Sequence, residues 1–221
     1  MENIKLVVFD FDGTLVSKDT GFEFYKWLTT QSIFRTILTI ALLPIIGAFY
    51  YFTVTRKLGI NIWCYIATAF QNRSLFILRK NFIGYYFSTA GAVVYADGVE
   101  ELRQHQKNGA DVIILSGCPH WLLHGVAKHI GLIGCKIIGS EQSSKNYALL
   151  LKNHCYRENK IKMAREAGAT EVEWAIGYSD SLADIPMLRS CHRKVLINVS
   201  SETMPKFRKN LVEPIECRAW A

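Results

Sequence analysis

The 221-residue chain reads as an α/β protein, a doubly wound parallel sheet with a helical cap inserted after the first strand. Two observations carry that expectation. Short β-branched runs alternate with helix-length segments through the second half of the chain, a pattern that right-handed crossovers turn into a parallel sheet. Between the first such run and the rest lies a long stretch, residues 17–95, rich in aromatics and helical patterning and poor in strand signals.

Ile4 to Phe9 (Ile-Lys-Leu-Val-Val-Phe) has the composition of a strand buried on both faces, and it stops at Asp10-Phe11-Asp12-Gly13-Thr14. The core is therefore expected over 1–16 and 96–221, and the cap over 17–95. Asp97-Gly98-Val99-Glu100 predicts a helix start, with Asp97 as N-cap and Glu100 at the third helical position, and Asn108-Gly109 predicts its end. Asp111 to Leu115 is a second buried strand running into Ser116-Gly117. Pro119 suits the first turn of a helix that closes at Gly131. Lys136 to Gly139 predicts a third strand, Glu158 to Glu166 a helix ending at Gly168, Trp174 to Tyr178 a fourth strand and Val195 to Val199 a fifth.

Half of the residues are hydrophobic, enough for a sizeable core and too many for a disordered chain. A formal charge of +7 suits an anionic partner, but nucleic acid, a phospholipid surface and phosphorylated substrates all satisfy it. The six cysteines form no CxxC pair and no zinc spacing, so reduced, buried thiols are expected. Met1-Glu2-Asn3-Ile4-Lys5 enters a strand directly, so no cleaved signal is expected and the core belongs in the cytosol.

In doubly wound sheets ligands bind outside the carboxyl ends of the strands. Asp10 and Asp12, Ser116, and Asp180 all fall at that edge. Taken alone, Asp10 to Thr14 could equally be a polar turn capping a strand. Asp180 and Asp184 add two more carboxylates there, and four converging acids need a cation. Oxygen ligands with room left for water suit Mg²⁺, whereas zinc would want His or Cys. Ser116-Gly117 precedes a helix N-terminus, where a hydroxyl and free N–H groups favour an anion, and Lys160 can add a fixed positive charge. His120, His124 and His129 lack companion ligands and are read as ordinary helix residues, and Cys118 as packing. Arg56-Lys57 and Lys206 with Arg208-Lys209 are read as solvated faces.

Asp10-Phe11-Asp12-Gly13-Thr14, Ser116-Gly117, Lys160 and Ser179-Asp180 with Asp184 resemble the four ordered motifs of the haloacid-dehalogenase superfamily of phosphatases, subfamily IB. The resemblance implies a Rossmann-like core and assigns roles. Asp10 would be the nucleophile, forming an aspartyl-phosphate, and Asp12 the general acid and base. Ser116, the Gly117 N–H and Lys160 would hold the phosphoryl oxygens. Asp10, Asp180 and the Asp12 carbonyl would bind Mg²⁺, with Asp184 supporting them from behind.

Within the insertion, residues 37–54 carry no charge over 18 positions, the length of a membrane segment. A single crossing would separate Asp10 from Ser116 and Asp180, which must share one sheet. Arg35 before the segment and Arg56-Lys57 after it mark both ends as cytoplasmic. A re-entrant helical hairpin bent near Pro44 and Gly47 is expected, on the cytoplasmic face of the inner membrane. Leu42-Leu43-Pro44-Ile45-Ile46, Ser116-Gly117-Cys118-Pro119 and Gly177-Tyr178-Ser179-Asp180-Ser181 are similar to phosphatidylglycerophosphatases of the C type. That similarity implies a phospholipid substrate, phosphatidylglycerophosphate, and no nucleic-acid partner. The alternative is a soluble small-metabolite enzyme of the phosphoserine phosphatase type, for which Asp19 stands where those enzymes carry an acid contacting the substrate amine.

Overall fold

A computed structural model describes residues 6–71, 73–169 and 174–221. Among them are seven strands: β1 (Leu6–Asp10), β2 (Asp111–Pro119), β3 (Lys136–Lys145), β4 (Ala148–Asn153), β5 (Trp174–Ser179), β6 (Cys191–Ile197) and β7 (Ile215–Arg218). They form one sheet in the order β4-β3-β2-β1-β5-β6-β7, parallel throughout except between β3 and β4. Four helices follow β1: α1 (Thr20–Thr30), α2 (Ile33–Tyr51), α3 (Arg56–Thr68) and α4 (Leu75–Ser88). The rest alternate with strands: α5 (Ala96–Lys107), α6 (His120–His129), α7 (Glu158–Glu166), α8 (Ile185–Arg189) and α9 (Met204–Asn210).

Successive residues of a strand face opposite sides, so the continuous apolar runs feed two cores. Val7, Phe9, Val112, Ile114 and Tyr178 join one, with Leu102 of α5, Leu122 of α6 and Phe24 and Phe82 of the cap. Leu6, Val8, Ile113 and Leu115 join the other, with Met163 of α7, Leu188 of α8 and Phe207 of α9. β1 sits between β2 and β5, which gathers three polar strand ends at the middle of one edge. Val16 and Val94 form an antiparallel bridge, and Ser17 and Leu15 bond to Val93 and Tyr95 across it. This short stem ties both ends of the insertion to the core.

Several expectations needed revision. Helix α5 starts two residues early, with Tyr95 at the N-cap and Asp97 inside the first turn, so the capping box does not form. Ala221 supplies the missing partners: its carbonyl accepts from Ala96 N–H and its N–H donates to Asp97 Oδ2. β3 runs six residues beyond Gly139 to Lys145 and turns back into β4, which was not foreseen. The turn residues Asn146 and Tyr147 have φ of 50° and 60°, a two-residue hairpin turn that needs left-handed backbone at both positions.

The cap differs most. α2 continues unbroken from Ile33 to Tyr51 with Pro44 inside it, so the chain does not reverse near Pro44. Proline removes one backbone bond there, and the helix propagates past it. The reversal comes at residues 52–55, where Thr55 Oγ1 bonds to Phe49 O at 2.8 Å. α3 then returns against α2, and Gly59 permits the approach: a Cβ there would lie 2.8 Å from Ile46 O.

On its other side α3 is fastened to the free edge of β4. Asn61 accepts from Leu151 N at 2.7 Å and donates to Leu151 O at 3.3 Å. Lys57 donates to Lys152 O, Leu149 N to Thr68 Oγ1, and Phe70 N to Tyr147 O. Side chains thus satisfy an edge that would otherwise stand open. Arg56 is no solvated residue either. Its guanidinium lies 4.4 Å from the Tyr50 ring centroid and 4.7 Å from that of Tyr156, whose hydroxyl accepts from it.

Candidate active site

Asp10 is the last residue of β1, and Asp12 follows two positions later on the same side while Phe11 turns into the core. Gly13 makes the bend at φ 80°. A Cβ at this position would sit 2.1 Å from Asp180 Oδ2, so the Asp180 carboxylate lies directly over the Asp12–Gly13 peptide. Thr14 fixes it there, donating to Asp180 Oδ1 at 3.3 Å and accepting from Asp180 N at 3.2 Å.

Lys160, in the first turn of α7, is buried and reaches Asp10 Oδ1 at 2.7 Å. The same ammonium donates to Asp184 Oδ2 at 2.9 Å and lies 2.7 Å from Asp184 Oδ1, which has no aligned donor of its own. Ser179 Oγ also donates to Asp184, at 2.8 Å. Asp12 faces the other way, toward the cap: Ser116 Oγ donates to it at 2.8 Å and Thr20 N–H, at the start of α1, at 2.7 Å. Asp19 caps α1 through Phe22 N–H at 2.7 Å. Tyr86 of α4 bonds to Lys18 O and accepts from Thr20 Oγ1. The cap therefore touches the site through the group that holds Asp12.

Burial strains the electrostatics of this cluster. It raises Asp10 well above the usual carboxylate range; Lys160 opposes the shift, and Asp184 and Asp180 reinforce it. It pushes Asp12 up to about 7, with Asp19 adding repulsion and the bonds from Thr20 and Ser116 resisting. It lifts Asp180 to about 6, with Asp184 adding to the effect. Burial disfavours the Lys160 ammonium too, but Asp10 and Asp184 outweigh it and keep that charge. One ammonium thus serves several carboxylates, and the excess negative charge calls for a proton or a cation.

Two carboxylates, Asp10 and Asp180, with the Asp12 carbonyl form a hard-oxygen set that fits Mg²⁺, which keeps several waters. Among the described residues no group of three His, Cys, Asp or Glu side chains could hold a metal ion by itself. The set here is two carboxylates and a carbonyl, with positions left for water. His120 accepts from Gly139 N–H through Nδ1 at 3.4 Å and its ring centroid lies 6.4 Å from that of His124, and Cys118 is buried as a free thiol.

All seven residues singled out from the sequence converge here. Four supporting groups were not assigned: Thr14, Thr20, Ser179 and Ser140. Buried Ser140 donates to Gly117 O at 2.7 Å and accepts from Cys155 N at 3.0 Å, which shapes the loop of Ser116 and Gly117 from a neighbouring strand. Thr14 and Ser179 sit inside the motifs, where their spacing to Asp180 and Asp184 could have drawn notice. Ser140 carries no such signal.

A buried carboxylate on a strand end, paired with a lysine and faced by a second acid pair on the neighbouring strand end, lies at the edge where doubly wound sheets carry their ligand sites. The haloacid dehalogenase-like hydrolase model matches residues 7–189, and the chain belongs to that family. A probable phosphatase of Mycobacterium tuberculosis is 26% identical over 109 residues, 48% of this chain and 38% of that protein. The chain thus matches well under half the length of this relative. A Bordetella pertussis protein of unknown function superposes with TM-score 0.76 at 15% identity, covering 97% of this chain and 98% of its own. A substrate-bound phosphoserine phosphatase gives TM-score 0.63 at 15% identity, covering 98% and 93%. At that identity the structural likeness concerns the fold.

Proposed function

We propose that the protein is a phosphatase that hydrolyses a phosphomonoester by way of an aspartyl-phosphate on Asp10, and that its substrate is the membrane lipid phosphatidylglycerophosphate. An Asp10 oxygen attacks phosphorus as the ester P–O bond breaks, and Asp12 gives its proton to the leaving alcohol. Water then attacks the acyl phosphate; Asp12 takes its proton, the bond to Asp10 breaks and phosphate departs. A carboxyl near 7 suits both transfers. Lys160 and the loop of Ser116 and Gly117 hold the phosphoryl oxygens. Asp10, Asp180 and the Asp12 carbonyl would hold Mg²⁺, which would supply charge neutralisation for the reaction.

The observation that carries the lipid reading is the outward face of α2. Ile33, Phe34, Ile37, Ile40 and Leu43 are all exposed, and Ile46 alone in the helix is buried. An apolar surface this continuous marks an interaction site. The helix spans about 28 Å. A helix lying along a membrane, not crossing it, is supported by α3, which packs along α2 and is bonded on its far side to the backbone of β4. Those polar groups cannot enter hydrocarbon. α2 is therefore read as lying in the interface, at the cytoplasmic face, with its outer side in the acyl boundary.

A second reading, a small-metabolite phosphatase, is favoured by the phosphoserine phosphatase likeness and by Asp19. That carboxyl lies beside Asp12 at the cap entrance, and burial raises its pKa. Phosphate release from phosphatidylglycerophosphate in mixed micelles, measured against phosphoserine, decides between them. The lipid ester is expected to turn over faster by at least tenfold, and Asp10→Asn to abolish both activities. Preference for phosphoserine would overturn the lipid substrate; near-normal turnover by Asp10→Asn would overturn the mechanism.

A further inference from the structure

We propose that a basic cleft at the seam between cap and core binds a phosphate group of an anionic lipid, separate from the phosphate undergoing hydrolysis. The cleft has a volume of about 530 Å³, and its lining includes Thr53, Arg56 and Lys57 from the cap and Lys152, His154 and Arg157 from the core. Glu158 is the sole acid among its lining residues. Lys162, also at its rim, pairs with Glu166 at 3.8 Å. Among the described residues Arg56, Lys57, Lys152 and Arg157 form no ion pair. Four cations without an ion-pair partner among the described residues thus gather around a space whose single lining acid is Glu158.

Two further features point to an absent acceptor. Arg56 Nε and Arg157 Nε are buried donors with no partner. Buried donors are ordinarily satisfied; these two are closed to solvent, so a phosphate in the cleft would reach them only after the guanidinium groups turn toward it. Arg157 also holds φ 51° and ψ −129°, left-handed backbone that glycine adopts far more readily than arginine. An arginine thus stands where the backbone is strained, and it lines this cleft with its guanidinium 5.7 Å from the Tyr156 ring centroid.

Position supplies the source of the phosphate. Thr53 belongs to the turn between α2 and α3, flanked by exposed Tyr51, Phe52 and Val54. With that apolar end in a bilayer, the cleft opens at headgroup depth, where each basic residue gains attraction to anionic lipid. Assigning the phosphate to a lipid rests on the membrane reading above; the anion site does not. None of Asp10, Asp12, Ser116, Lys160 and Asp180 lines the cleft, which adjoins the catalytic loop through His154, its Nε2 3.5 Å from where a Cβ of Gly117 would be.

The test uses the full chain, with Lys152→Gln, Arg157→Gly and the double variant. Binding is measured by co-sedimentation with phosphatidylcholine vesicles, with and without phosphatidylglycerol. A parallel calorimetric titration uses glycerophosphoglycerol, a soluble phosphodiester. Wild type is expected to prefer the anionic vesicles, and each variant to lose about fivefold of that preference, with binding to phosphatidylcholine unchanged. Arg157→Gly should melt no lower than wild type, because glycine relieves the backbone, so its loss of binding is not a loss of fold. Variants that keep the wild-type preference overturn the proposal. If wild type binds neither vesicle, the membrane reading fails. Glycerophosphoglycerol bound by wild type and lost in the double variant would still leave the anion site standing; no binding by wild type would remove it as well.

Discussion

Asp12 is the residue through which the cap and the chemistry meet. Its carboxylate accepts from the first N–H of α1, and the N-cap of that helix, Asp19, pushes its pKa upward. Asp19→Asn keeps a good N-cap and removes the like charge. The Asp12 pKa should fall, so the loss of turnover at high pH should begin at lower pH. A pH profile of kcat is expected to show the variant about threefold below wild type at pH 8 and close to it at pH 5.5. Coinciding limbs would show that Asp19 does not act on Asp12. The carboxylates and Lys160 were legible because acids at strand ends have few structural uses and fall into a known order. Ser140 and Thr20 were not, because each acts through a contact that only the sheet order and the cap docking create.

At the scale of elements, legibility followed apolar patterning. β1, β2 and β5 open on hydrophobic runs: the ends of β1 and β5 were placed to within one residue, the expected start of β1 at Ile4 lies outside the described residues, and β2 runs four residues past Leu115 to Pro119. The second half of β3, Ser140–Lys145, is almost wholly polar; it is a strand because it pairs with β4, not because of its own composition. Pro44 misled in the opposite sense, since one lost backbone bond is a weak breaker in a long helix. The junction between α3 and β4 had no sequence signal at all, and it makes a firm prediction. Asn61→Leu strips both partners from the outward N–H and C=O of Leu151, which should cost about 2 kcal/mol and several degrees of Tm. Hydrogen exchange should quicken at Leu151 and Leu149 and stay unchanged in β1. Unaltered exchange at β4 would mean that α3 is not fastened by these bonds.

The whole molecule carries its catalytic charge as stored instability. Asp10, Asp12 and Asp180 all have pKa values raised by burial above the ordinary 3.8. A carboxyl whose folded pKa exceeds its unfolded one binds more protons when folded, so its contribution to stability is complete below about 3.8. That contribution is lost as the pH rises through the folded values, about 6 for Asp180 and about 7 for Asp12, as the folded state ionises against its will. Protein stripped of metal should therefore become less stable between pH 5 and 7.5 in thermal melts. Magnesium favours the ionised carboxylates it binds, and protons compete with it. The rise in Tm on adding Mg²⁺ should then be small at pH 5 and reach several degrees at pH 7.5. Asp180→Asn removes both a titrating group and a ligand, so it should flatten the metal-free decline and abolish most of the Mg²⁺ effect together. A Mg²⁺-induced rise that is independent of pH, or that survives in Asp180→Asn, would show that the ion does not bind at this cluster.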